Sequence, residues 1–268
     1  GAYSQRQHDV WGAIVRAIDL HTGGHRVEDR LWRIVQTQVE CALEHWREPD
    51  QGIWEVRSGA QHFTSSKVAC WLDADAGARI AGRRGEDALA ARWRSAAEEI
   101  RDDVLCNAVD ERGVFTQHYD TKALDASVLL IPLLGFLPGS DERVRNTVHA
   151  IMDELTEDEM VLRYRVEDTE DGLAGDEGTF TICSFWLVSA LVEIGEVSRA
   201  RHLCERLLSF ASPLHLYAEE IEPRTGRHLG NFPQAFTHLA LINAVVHVIR
   251  AEELADGTGV FQPANSPQ

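Results

Sequence analysis

The hexapeptide Gly52-Ile53-Trp54-Glu55-Val56-Arg57 sets a carboxylate between an indole and a guanidinium in a Gly-containing loop. A carboxyl against an indole face is desolvated, which raises its pKa, and a nearby cation limits the rise. Glu55 is therefore a candidate general acid, with Trp54 as the ring that shields it. The plainer reading makes Trp54 a buried loop anchor and Glu55 a solvated partner of Arg57. A second set of carboxylates, Glu219, Glu220 and Glu222, lies in the run Leu216-Tyr217-Ala218-Glu219-Glu220-Ile221-Glu222-Pro223. Two carboxyls facing each other across an aromatic cleft are what glycosidic cleavage requires. One protonates the leaving oxygen, and the other activates water or attacks the anomeric carbon. Only one of three clustered glutamates can point at a given centre, so two of them are expected to be solvated or structural.

Other chemistry-bearing residues fall in comparable stretches. These are Phe115-Thr116-Gln117-His118-Tyr119-Asp120, Leu162-Arg163-Tyr164-Arg165, the run from Asp171 through Asp176 and Glu177, and Gly230-Asn231-Phe232. Aromatic rings offer a platform for a sugar ring, while Arg and Asn donate to its hydroxyls. The candidate substrate contacts are Trp54, Arg57, His118, Tyr119, Arg163, Tyr164, Glu177 and Asn231. His62, His118 and His238 lack partners at ligand spacing on a shared helix face, so no metal site is expected. Ser65, Ser66 and Ser184 lack the strand-to-helix elbow of a hydrolase nucleophile.

The elements that must position these residues are helical. Apolar periodicity predicts helices near 7–21, 27–46, 63–82, 85–107, 124–136, 141–155, 178–193, 196–210 and 234–254, with no convincing period-two run. Short links carrying Gly or Pro (22–26, 82–85, 138–140 and 195) alternate with long ones (47–62, 108–123, 156–177 and 211–233). In an up-down array this alternation sends all the long links to one end, and loops of that length in a compact domain are usually functional or disordered. Segments 124–136, 179–192 and 234–249 are apolar nearly all round, as buried helices are. Segments 86–106 and 198–210 are amphipathic. Inner and outer helices joined by hairpins describe an all-α toroid, an (α/α)6 barrel. Nine helices cannot close one evenly, so the reading expects a barrel incomplete on its N-terminal side. A plain helical solenoid is the alternative, but no repeat of fixed length is visible. The chain is read as a single domain over 1–268, with a disordered tail over 256–268.

Composition narrows the partners. A formal net charge of -17 over 268 residues disfavours nucleic acid and anionic membrane surfaces, and a neutral ligand is easier to accept. No apolar run approaches the roughly 20 residues a membrane span needs, and no signal peptide is evident. Five widely spaced cysteines without a C-x-x-C pair read as buried thiols of a reducing, cytoplasmic compartment. The chain begins Gly1-Ala2-Tyr3 without an initiator methionine, as a processed product or a piece of a longer chain would.

Several blocks resemble glycoside hydrolase family 15, which includes glucoamylases, glucodextranases and some bacterial trehalases. They are GIWEVR at 52–57, QHFTSSK at 61–67, LDASVLLIPLLGFLP at 124–138, LRY at 162–164, EGTFTICSFWLVSAL at 177–191 and LYAEEIEPRTGRHLGNFPQAFTHLALINA at 216–244. They occur in family order. The resemblance covers the C-terminal two-thirds of the family's catalytic domain and implies an (α/α)6 barrel. It matches Glu55 to the catalytic acid and Glu219 to the catalytic base. Arg163 and Tyr164 fall where the family binds the non-reducing-end glucose, and Trp54 stands beside the acid. The implied activity is inverting, exo-acting release of glucose from an α-glucan or from trehalose, with carboxyls about 6.5–9.5 Å apart. A trehalase specifically is the alternative, and a non-catalytic glycan-binding or scaffold protein is the rival of another class. No cofactor is implied, although some trehalase relatives need phosphate and magnesium. The family also carries three earlier barrel helices and a Trp…Arg-Asp motif. Without them, apolar flanks would favour association of the chain with itself or with that N-terminal region.

Overall fold

The computed structural model describes residues 2–167, 169 and 178–257. Among these the chain is all-α, with nine α-helices and only very short strands. The helices are α1 (Asp9–Thr22), α2 (Asp29–His45), α3 (Thr64–Arg84), α4 (Asp87–Asn107), α5 (Leu130–Leu133), α6 (Glu142–Glu154), α7 (Thr181–Glu193), α8 (Val197–Ser209) and α9 (Ala235–Ala255). The strands β1 (Thr156–Glu157) and β2 (Met160–Val161) form an antiparallel hairpin. A second, three-stranded antiparallel sheet orders β3 (Thr179–Phe180), β4 (Glu220–Glu222) and β5 (Arg227–Leu229). No helix is long and apolar enough to cross a membrane among the described residues.

Contacts divide the chain into two compact units. The first is Gly1–Leu137 with Tyr164–Asp176, and the second is Pro138–Arg163 with Glu177–Gln268.

In the first unit α3 is the central helix, packed on α1, α2 and α4. Its small residues permit this. Ala69, Ala74, Ala76, Gly77, Ala78 and Ala81 are all buried and keep the neighbouring backbones close. A Cβ on Gly12 of α1 would lie 2.2 Å from the Ala69 carbonyl oxygen, so that helix pair meets backbone to backbone. The flanking α1 and α2 bury one stripe each, Val15 and Ile18 from α1, Trp32, Val35 and Val39 from α2, as amphipathic helices do. The turn from α3 to α4 needs a left-handed residue, and Gly85, at φ 80°, supplies it without a Cβ penalty.

The second unit centres on α7, whose Cys183, Phe185, Leu187, Val188 and Leu191 are buried. It packs on α6, α8 and α9. The expectation that 234–249 would be buried on most sides holds for one side only. Thr237, Ala240, Ala244 and Val248 are covered, but Phe236 (66% exposed), Leu239, Ile242 and Ile249 face outward.

The long helix anticipated over 124–136 is replaced by a 3-10 turn, Ala126–Leu129, and the single turn of α5. Two features stop it. Pro132 has no amide to continue the ladder, and Gly135, at φ 77°, closes the turn while the Phe136 amide donates to the Ile131 carbonyl. The five cysteines are free, yet only Cys70, Cys183 and Cys204 are buried, whereas Cys106 is exposed.

Candidate active site

In the first unit backbone bridges close the loop after α2 on itself and join it to the loop after α4. Asp50 pairs with Gln61 and Phe63 with His118, and the Tyr119 amide donates to the His62 carbonyl at 3.1 Å. Buried Asp50 ties the base of this region down, accepting from the Ser66 hydroxyl at 2.7 Å and the His8 amide at 3.0 Å. Lys67, also buried, donates to the Trp46 and Glu48 carbonyls, and its pKa is lowered by burial.

On this platform Gln51–Val56 forms a tight turn. The Glu55 amide donates to the Gly52 carbonyl at 3.2 Å, and the Val56 amide donates to the Gln51 carbonyl at 3.1 Å. Gln5 Nε2 clamps the turn from outside by donating to the carbonyls of Glu55 and Val56 at 3.2 and 2.9 Å. Glu55 itself has φ 56°, a left-handed backbone that an L-residue adopts at a cost of roughly 1–2 kcal/mol. Such outliers persist where surrounding contacts over-determine them, and they cluster at functional positions. Glu55 is exposed, as is Arg57, and no ion pair joins them among the described residues. The described residues therefore do not supply the desolvation that the sequence suggested for Glu55. Trp54 is half-buried and anchored in a different way. Its indole N–H donates to both oxygens of Asp125 at 3.0 Å.

Asp125 is 1% exposed and also accepts from Gln117 Nε2 at 3.0 Å and from the Ser127 amide at 2.7 Å. Burial raises its pKa, and the hydrogen bonds from Ser127, Gln117 and Trp54 oppose the rise. Its backbone bridges to Tyr164, whose ring is buried. Sequence reasoning passed over Asp125. The available signal was a lone carboxylate opening an apolar run, with Ser127 two residues on, which is the pattern of a side chain capping a turn.

His118 and Tyr119 occupy the second loop with roles already assigned. The Tyr119 hydroxyl donates to Asp103 at 2.7 Å, its ring stacks on His62 at 5.6 Å, and burial pushes its pKa well above the phenolic range. His118 Nδ1 lies 2.6 Å from the Tyr119 carbonyl, and its ring meets Phe63 edge-on. His118 also lines a cavity of about 240 Å³ with Val56, Gln61, Phe63, Gln117 and Thr169.

The second unit holds Glu219. Its amide donates to the Asn231 carbonyl at 2.9 Å, and its carbonyl accepts from Thr181 at the start of α7 at 2.9 Å. Its carboxylate accepts at Oε2 from both the amide and the side-chain Nδ2 of Asn231, each at 3.0 Å. Gly230 makes this fit possible, since a Cβ there would lie 2.7 Å from Oε2 and the backbone is left-handed at φ 69°. The two neighbouring glutamates have local structural partners. Glu220 accepts from the Gly178 amide at 2.9 Å. Glu222 takes the Thr225 hydroxyl and amide, which lowers its pKa chiefly through that side-chain bond. Asn231, expected as a sugar contact, is thus engaged with the candidate base. The Arg163 guanidinium lies 5.1 Å over the Phe180 ring. Glu177 and Asp176 lie outside the described residues, as does the tail over 258–268.

The structure therefore gathers Trp54, Glu55, the second loop and Tyr164 in one unit and Glu219 with Asn231 in the other. No group of three or more His, Cys, Asp or Glu side chains suited to a metal ion occurs among the described residues.

The fold is an all-α scaffold with long loops, and comparison supplies the family. The chain belongs to Glycosyl hydrolases family 15, matched over residues 1–246. It is 68% identical over all of its 268 residues to a protein named trehalase from Mycolicibacterium smegmatis, and covers 40% of that relative. A trehalase from Mycobacterium tuberculosis is 69% identical over the same span, with 39% of it covered. A trehalase from Thermoplasma acidophilum is 39% identical over 243 residues, 90% of this chain and 42% of the relative. The chain thus spans about two-fifths of the length of these curated relatives. Among solved structures, a wild-type glycosidase superposes with a TM-score of 0.76 at 20% identity, covering 91% of this chain and 67% of that one. A bacterial glucoamylase complexed with acarbose gives 0.77 at 15% identity, covering 92% and 41%. This likeness shows the fold, an (α/α) toroid to which the described residues contribute nine helices.

Proposed function

We propose that the protein hydrolyses trehalose with inversion, Glu55 acting as general acid and Glu219 as general base. The observation that carries the choice of substrate is the 68% and 69% identity, over the full chain, to two mycobacterial proteins named trehalase. Release of glucose from α-glucans, the broader reading, draws support only from structures at 15% identity or so. In the proposed reaction Glu55 protonates the oxygen joining the two glucose units as the C–O bond breaks. Glu219 takes a proton from a water that attacks the anomeric carbon from the opposite face. Asn231 holds Glu219 Oε2 through two hydrogen bonds, leaving Oε1 to accept the proton of that water. Substrate contacts are assigned to Arg57, His118 and Arg163, with Trp54 as the anchor beside the acid. This reading takes both units as parts of one catalytic domain, and the family match that runs through each of them supports it.

The experiment is hydrolysis of trehalose, maltose and maltodextrin followed by NMR at early times. Inversion of an α,α-linked disaccharide yields one β-glucose and one α-glucose per event, whereas retention yields two α-glucoses. Preference for trehalose and an equimolar anomer ratio are expected, and Glu55→Gln and Glu219→Gln should each lower kcat by a factor of about 10² or more. A faster reaction on maltodextrin would return the assignment to a glucoamylase. Loss of neither activity in either variant would remove both carboxylates from the mechanism.

A further inference from the structure

We infer that Asp125 is a positioning residue for the acid, fixing the direction of Glu55 by holding the Trp54 ring that precedes it; this rests on the proposed role of Glu55. Four observations lead there. The carboxylate of Asp125 is 1% exposed and receives donors from Trp54 and Gln117 on two other stretches of chain and from Ser127 on its own. The Trp54 N–H is shared evenly between its two oxygens, at 3.0 Å each, so the indole lies on the axis of the carboxylate. The residue that follows Trp54 is Glu55, left-handed at φ 56°. The Asp125 backbone is bridged to Tyr164, which brings a third segment to the same point.

The physical argument runs from the strained residue outward. A left-handed glutamate occupies a narrow basin and relaxes to the broad right-handed or extended regions unless its neighbours prevent it. After Glu55 the turn is held by Gln5, which grips the Glu55 and Val56 carbonyls. Before it, the hydrogen bonds of the turn reach back to Gly52 and Gln51, and the side-chain anchor is Trp54 on Asp125. Releasing the indole frees the peptide that enters Glu55 and lets the acid swing, while Glu219 and its Asn231 partner are untouched. The network is extended by Thr169, whose hydroxyl donates to Gln117 Oε1 at 3.3 Å and so orients the amide toward Asp125. A general acid must be aimed within hydrogen-bond reach of the leaving oxygen, and small errors of placement are expensive in rate.

The test compares substrates that differ in their need for an acid, using the protein as expressed from its own gene. Asp125→Asn keeps size and shape, and Trp54→Phe removes the indole N–H from the other end of the contact. On trehalose, whose leaving group is a sugar alkoxide, each should lower kcat by a factor of roughly 10 to 10², with KM within about twofold of wild type. On α-glucosyl fluoride, whose leaving group departs without a proton, the loss should be less than about threefold. Glu55→Gln should give the same split, only deeper. Equal losses on both substrates would mean a general structural role and overturn the inference, as would an unchanged kcat on trehalose. Should the wild-type protein cleave neither substrate, the proposed function fails, and the contact is then read by NMR with ¹⁵N-tryptophan. The indole cross-peak that disappears in Trp54→Phe should move upfield in Asp125→Asn. If that peak stays in place, Asp125 does not hold Trp54 and the inference falls by itself.

Discussion

Replacing Asp73 by asparagine should change the slope of stability against pH, because Asp73 is a carboxyl in the middle of α3 with nothing to hold. It is fully buried, and neither of its oxygens has a hydrogen-bond partner among the described residues. Burial pushes its pKa up from 3.8 to about 8. The folded chain therefore keeps a proton that the unfolded chain releases. Stability contributed by the neutral form is complete below the unfolded pKa, declines as pH rises from about 4, and levels off above about 8. One proton corresponds to about 1.4 kcal/mol per pH unit, so roughly 4 kcal/mol is lost between pH 4 and pH 7. Asparagine has no such titration but keeps an unsatisfied buried amide, which adds a constant penalty of about 1–3 kcal/mol. Urea unfolding at pH 5, 6, 7 and 8.5, extrapolated linearly to water, gives the two curves. The difference between Asp73→Asn and wild type should move in favour of the variant by about 1.4 kcal/mol per unit as pH rises toward 8 and flatten above that. A difference that stays constant over this range would refute the reasoning, for it would mean that Asp73 titrates alike in both states.

Three further perturbations test the close approaches. Gly230→Ala should reduce kcat by about 10², because its Cβ would meet Glu219 Oε2 and turn the carboxylate aside, and should cost about 1–2 kcal/mol of stability, because the backbone there is left-handed; steady-state kinetics beside calorimetry decides it. Gly12→Ala, which drives a methyl into the Ala69 carbonyl, should separate α1 from α3 and destabilise by about 1–3 kcal/mol in urea. Lys67→Met should lose about 2–5 kcal/mol by leaving the Trp46 and Glu48 carbonyls unpaired, and hydrogen exchange should rise first in residues 46–51.

The helices were legible in the sequence because apolar periodicity is a local property. Eight of the nine predicted spans, α1 through α4 and α6 through α9, correspond to observed helices with ends shifted by a few residues. Residues 124–136 were misread for the same reason. An apolar run has no period to distinguish a helix from a chain that turns at Pro132 and Gly135, both of which act through the backbone. The position of Glu55 in a loop and of Glu219 beside β4 was also available, since both lie in motifs short enough to read directly.

Tertiary structure alone decided which groups those carboxylates meet. Trp54 reaches Asp125 across 71 positions, and nothing at either end announces the partner. Asn231 looked like a sugar contact from its type, but the fold returns it to Glu219 over 12 positions through the β4–β5 hairpin. Glu220 and Glu222 could not be separated from Glu219 by composition, and their separation rests on which backbone amides each carboxylate happens to face. The residue types and the helices come from local spacing, which a sequence displays. The roles come from hydrogen bonds between distant segments, and those exist only once the chain has packed.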